Sequence, residues 1–142
     1  MDNLKKINIG QMIQTRWKEL EISLERTCNF LNCSVDDVEQ TFQKAEIATD
    51  VLLKWSKLLE YDFFRLYSHH LILYAPAKPL KNNKEKITTK LPEFRKSVYT
   101  KEVIDYIIKQ IANKEKTPAE VIHEYRIPKT TLYKWIHKYN LG

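Results

Sequence analysis

Glycine is almost absent from this chain. Of 142 residues, only Gly10 and Gly142 are glycine. A phosphate-cradling loop needs several glycines within a few residues, so nucleotide binding of that kind is excluded. Cysteine is equally scarce, with Cys28 and Cys33 the two present. Two cysteines build no disulfide framework. A zinc site would need two further ligands, and the candidates His69 and His70 are distant in sequence. With no secretory signal, the low count fits free, buried thiols in a reducing, cytoplasmic compartment. No apolar run approaches the roughly 20 residues of a membrane span. No constellation asks for a cofactor, a metal or a small-molecule substrate, and no catalytic residue is expected.

Positive charge is plentiful and unevenly placed. The chain carries a net +6. Up to Ala75 there are 9 Lys/Arg against 11 Asp/Glu, net −2. From Pro76 onward there are 15 against 7, net +8. A basic half joined to a slightly acidic half is the pattern of a nucleic-acid module attached to something else. The seam is visible at Pro76–Ser97, PAKPLKNNKEKITTKLPEFRKS, with three prolines, seven Lys/Arg, two Glu and little apolar periodicity. It reads as a basic linker between a domain at 1–75 and a domain at 98–142. A flexible tether of about 20 residues spans near 25 Å, against about 34 Å for one turn of DNA. Its lysines either follow phosphates or are simply solvated.

The most specific signal is Thr117–Tyr139, TPAEVIHEYRIPKTTLYKWIHKY. Thr117, Pro118 and Glu120 form a helix start, with a hydroxyl cap, a proline at the first helical position and a glutamate reaching back. Val121, Ile122 and Tyr125 supply an apolar face. Pro128 disfavours helix at Ile127, so the helix ends near Arg126. A second helix starts about Lys129 or Thr130. In it Leu132 and Ile136 share an inward face, with Tyr139 one turn further. Left outside are Lys129, Thr130, Thr131, Tyr133, Lys134, His137 and Lys138. Lys and Thr contact phosphates or base edges, and an exposed Tyr hydrogen-bonds or stacks. With Arg126 these are the candidate DNA-binding residues. The competing reading is an ordinary solvated basic face. Upstream, Thr100 is placed to cap a third helix, in which Val103, Ile104, Ile107, Ile108 and Ile111 recur at helical spacing.

Phe94–Tyr139, with FRKSVYTKEVIDYIIKQ and then TPAEVIHEYRIPKTTLYKWI, resembles the helix-turn-helix of insertion-sequence transposase first-frame proteins and related Hin-like, homeodomain-like units. I-P-x-x-T-L-Y-x-W is its specific part. The resemblance implies a recognition helix at Lys129, Thr130, Thr131, Tyr133 and Lys134. It also implies transposition, but strand transfer needs a set of metal-binding carboxylates on a larger fold. The C-terminal part offers Asp105 and scattered glutamates. DNA binding is carried over and catalysis is not.

The N-terminal part reads as four or five short helices. Ile9, Met12, Ile13, Trp17 and Leu20 form one stripe. Ser23 caps a second helix, with Cys28, Phe30 and Leu31 as its apolar contacts. Ser34 starts a third, with Val35, Val38 and Phe42 inward. Thr49 or Asp50 caps a fourth through Leu59, and YDFFRLY closes the set. Leu71–Tyr74 is compatible with a short extended edge. His69 and His70 are expected at the surface, and His123 at a core edge. The stretch Ile9–Tyr67, with IGQMIQTRWKELEIS, FLNCSVDDVEQTF and TDVLLKWSKLLEYDFF, resembles Cro/repressor-type (XRE) helix-turn-helix proteins. That places the family's recognition helix on Val35–Phe42. Its outward residues are Asp36, Asp37, Glu39 and Gln40, and three carboxylates would be repelled by phosphates. Packing, dimerisation or partner binding is the favoured role for this module.

The expected fold is therefore all-α. A Cro-like four- or five-helix domain precedes a basic linker and a three-helix helix-turn-helix domain. The expected function is sequence-specific binding of double-stranded DNA, as a transcriptional regulator or mobile-element-associated reader. A lone helix-turn-helix buries little surface, so a homodimer or joint use of both modules is expected. The alternatives are a protein-interaction adaptor working through the acidic module, or a non-catalytic subunit of a transposase.

Overall fold

The computed structural model describes residues 5–76, 89–92, 94 and 99–139. Most of the expected linker, residues 77–88, 93 and 95–97, lies outside the described residues. Among the described residues the chain is helical, with eight helices and no strand. They are α1 (Ile9–Glu19), α2 (Leu24–Leu31), α3 (Val35–Gln43), α4 (Thr49–Leu59), α5 (Phe64–Tyr74), α6 (Lys101–Ala112), α7 (Pro118–Tyr125) and α8 (Lys129–Lys138). None is long and apolar enough to cross a membrane. The chain divides into two compact units, Met1–Ser68 and His69–Gly142, so the division falls inside α5.

In the first unit, side-chain caps fix where helices begin. Asn8 accepts from Gln11 N–H at α1, and Ser23 accepts from Arg26 N–H at α2. At α3, Ser34 accepts from Asp37 N–H while the Asp37 carboxylate accepts from Ser34 N–H, a reciprocal capping box. The Ser34 backbone bond, and then its side chain, hold the Asp37 carboxyl below its ordinary value. The expected cap of α4 is corrected. Ala48 stands at that position and gives no side-chain bond, because Thr49 is already helical.

These starts orient four apolar stripes onto one core. Ile9, Ile13, Val38, Phe42, Leu52, Trp55, Leu58, Leu59 and Phe63 are buried together. Trp17, Phe42 and Trp55 form a chain of tilted rings with centroids 5.2 and 5.8 Å apart. The Trp17 indole N–H donates to the Thr27 hydroxyl at 2.9 Å, so its one donor is satisfied. Val35 departs from expectation. It lies on the right face of α3, but in its first turn, where it is 47 % exposed. Phe30 is likewise exposed rather than packed.

Among the described residues, the left-handed backbone sites do not include Gly10. Glu21, Asn32, Glu60, Lys114 and Arg126 all take positive φ, between 49° and 59°. A residue with a Cβ is strained there, and Asn is the best tolerated of these types. Gly10 serves a different need. A Cβ on it would lie less than 3.0 Å from the carbonyl oxygens of Thr41, Phe42 and Lys44. Backbone touches backbone there: Gly10 N–H donates to Lys44 C=O at 2.9 Å and Ile9 N–H to Ala45 C=O at 3.2 Å.

Two expectations near the division are also corrected. Leu71–Tyr74 is not extended but completes α5. His69 is buried, because it lies four residues before buried Leu73 on the same helical face.

Candidate nucleic-acid interface

The second unit builds a three-helix core from α6, α7 and α8. Val103, Ile107 and Ile108 of α6 are buried, as are Val121 and Tyr125 of α7, Ile127 of the turn, and Leu132 and Ile136 of α8. Ile104 and Ile111 are half-buried. Thr100 stands at the start of α6, but its hydroxyl makes no capping bond and is buried without a partner. The start of α7 follows expectation. Thr117 accepts from Glu120 N–H at 3.2 Å, and the Glu120 carboxylate accepts from Thr117 N–H at 2.8 Å. Losing a hydroxyl cap costs about 1 kcal/mol. Thr117→Ala should therefore lower the stability of this unit by about that much, read by denaturant unfolding followed at Trp135.

Arg126, Ile127 and Pro128 make the turn between α7 and α8. Arg126 takes the left-handed conformation (φ 56°, ψ 35°), which ends α7. Ile127 inserts its side chain into the core at 1 % exposure. Pro128 then precedes α8 in extended geometry, where its missing N–H is harmless. Three turn residues between two packed helices are the spacing of a helix-turn-helix.

Polar ties fix the helices around that turn. The Tyr125 hydroxyl, at the last position of α7, donates to Gln110 Oε1 of α6 at 3.0 Å in a buried contact. Lys116 Nζ donates to the Tyr125 hydroxyl at 3.1 Å and also pairs with Glu124. Burial pulls the Lys116 pKa down, and its bonds to Glu124 and Tyr125 outweigh that and raise it. At the other end of α8, the Tyr139 hydroxyl donates to Asp105 Oδ1 of α6 at 3.1 Å. That bond, then partial burial, then the Asp105 charge, raise the Tyr139 pKa. Trp135 is half-buried with its ring edge-on to Tyr99, centroids 5.1 Å apart. Helical spacing predicts that Tyr139 extends the inward stripe, but it is 38 % exposed and tied by its hydroxyl instead. Sequence spacing carries no signal for a Tyr139–Asp105 or Lys116–Tyr125 bond, because each joins different elements.

The free side of α8 is continuous. Lys129, Thr130, Tyr133, Lys134, His137 and Lys138 are exposed, and Thr131 is half-buried. At 100° per residue, Lys134 lies opposite Leu132 and Ile136, with Thr130 and Lys138 on either side of it and His137 beside Thr130. Tyr133 lies at one edge, with Lys129 Nζ 5.8 Å from its ring centroid. Thr131 lies at the other. Arg126 is exposed just before the helix. No acidic residue occurs in α8. The carboxylates of α7 are engaged elsewhere, Glu120 in its cap and Glu124 with Lys116. His123 is exposed on α7 rather than at a core edge.

In the first unit, α3 carries exposed charge of the other sign. Asp36, Asp37, Glu39 and Gln40 of α3 are exposed. Asp37 is held by its cap, and Asp36 accepts from the Gln40 amide at 2.8 Å. Among the described residues, no group of three or more His, Cys, Asp or Glu gathers to hold a metal ion. Comparison of the chain with family models, with characterised proteins and with solved structures finds no match.

Proposed function

We propose that the chain binds double-stranded DNA sequence-specifically by laying α8 in the major groove, as a regulator or a reader associated with a mobile element, without strand chemistry of its own. One observation carries this reading. The whole exposed arc of α8 is basic, hydroxylic or aromatic, on a helix held by its other face and preceded by a three-residue turn. Thr130, Lys134 and His137 meet base edges, and Tyr133 packs its ring beside them. Arg126, Lys129 and Lys138 contact phosphates and set the register.

Selection of duplexes from a random pool by the full-length chain tests the proposal. A consensus site should emerge. With three phosphate contacts, affinity for it should fall about 40-fold between 50 and 200 mM salt. No enriched site, or a flat salt response, refutes it. Arg126→Gly separates folding from binding. Glycine relieves the left-handed strain, so the unit should gain about 0.5–1 kcal/mol. The salt slope should meanwhile fall by about 1, because one phosphate no longer has its guanidinium partner. Thermal unfolding and a salt series of binding curves check the two halves.

A second reading, an adaptor that binds a partner through the first unit, is favoured by the carboxylates and exposed Val35 on α3. It predicts that charge reversal on α8 leaves partner binding intact.

A further inference from the structure

Cys28 and Cys33 are the chain's two thiols, both free and half-buried. They occupy two related positions at the end of α2. Asn32 takes the left-handed conformation (φ 51°, ψ 52°), and Cys33 N–H donates back to Cys28 C=O at 3.1 Å. This is the six-to-one closure of a Schellman ending, in which the first and last side chains commonly touch. The same closure recurs from Tyr61 N–H to Ser56 C=O and from Glu115 N–H to Gln110 C=O. Neither of those carries a matched pair, so the backbone motif does not itself require two thiols. The sulfur groups interact: burial first, and then the neighbouring Cys28 and Asp37, raise the Cys33 thiol above its ordinary value. Both side chains pack against the core of the first unit.

We propose that Cys28 and Cys33 form a reversible dithiol–disulfide couple at the α2–α3 turn, closed by exchange with a disulfide oxidant of the oxidised-glutathione class. The Cys28 thiolate displaces one glutathione thiolate and forms a mixed disulfide. Cys33 loses its proton and attacks the Cys28 sulfur, releasing the second glutathione thiolate. Two protein thiols are oxidised by two electrons, and one glutathione disulfide is reduced to two thiols. The bond then ties the end of α2 to the residue before Ser34, the cap of α3. The couple lies in the first unit and does not depend on what α8 binds.

The test uses the full chain, incubated with excess oxidised glutathione, acid-quenched, weighed intact and mapped without reduction. The wild type should lose two hydrogens, keep no glutathione and show residues 28 and 33 linked, all reversed by dithiothreitol. Cys33→Ser should stop at a single glutathione adduct on Cys28. Two glutathiones retained on the wild type, or two unchanged thiols, overturns the proposal.

Discussion

Reversing Lys129 and Lys134 together to glutamate is expected to abolish selection of the DNA site, with affinity falling about 10²- to 10³-fold. Each lysine removed takes away a cation, and each glutamate added brings a carboxylate into the negative field of the duplex, at a phosphate for position 129 and at the base edges for position 134. Folding should survive. Both side chains are exposed, and α8 has no acidic residue in its first turn. A glutamate at position 129 would therefore complement the helix dipole, whereas the native lysine opposes it. The change at position 129 also removes the cation–π approach of Lys129 to Tyr133, worth about 0.5–1 kcal/mol at an exposed site. Thermal unfolding should move by only a few degrees while binding collapses. Titration of the selected duplex at fixed salt checks the first outcome and calorimetry the second. Wild-type affinity in the double variant would leave α8 without a role.

Gly10→Ala is expected to be the most damaging single substitution in the first unit. The added Cβ would meet three backbone carbonyl oxygens, of Thr41, Phe42 and Lys44, at under 3.0 Å. Overpacked side chains can rotate away, at a typical cost of about 1–3 kcal/mol. Backbone at the end of α3 cannot rotate, so α1 must retreat. That movement would break the bonds from Ile9 N–H and Gly10 N–H to Ala45 and Lys44, each worth about 1 kcal/mol. A destabilisation above about 3 kcal/mol follows, or roughly 15 °C in the midpoint of a unit this small. Trp17 and Trp55 belong to this unit and report it, whereas Trp135 reports the other. A midpoint within about 2 °C of wild type would show that the close approach of α1 and α3 is wrong.

Helix starts are readable in the sequence because their signals are local. Ser23, Ser34 and Thr117 each cap the helix expected of them, and each bond spans only three residues. The inward pair Leu132 and Ile136 is readable for the same reason. Helix ends are harder. Without glycine, left-handed endings fall on Glu, Lys and Arg, which carry no clear stop signal, and on Asn32, whose type favours that conformation only weakly; Pro128 marks one ending in advance. Leu71–Tyr74 is a short apolar run that periodicity alone assigns to neither helix nor strand, and its continuity with Phe64 decides for helix. Gly10 looks like an ordinary residue of a helical stripe. Its role emerges only when the end of α3 is placed against it, a long-range relation that no spacing records. On α8 the exposed arc follows directly from the helical period. The tie at its end, Tyr139 to Asp105, and the tie of α7 to α6, Tyr125 to Gln110, cross between elements and leave no trace in the spacing.

Photocrosslinking tests the central claim most directly. A selected duplex carrying 5-bromouracil in place of each thymine in turn is irradiated with the full-length protein, and the attached peptides are mapped. The major-groove placement of α8 predicts adducts within residues 129–138, centred on Tyr133, Lys134 and His137. Adducts confined to Val35–Gln43, or no crosslinking above that of a scrambled duplex, would contradict it.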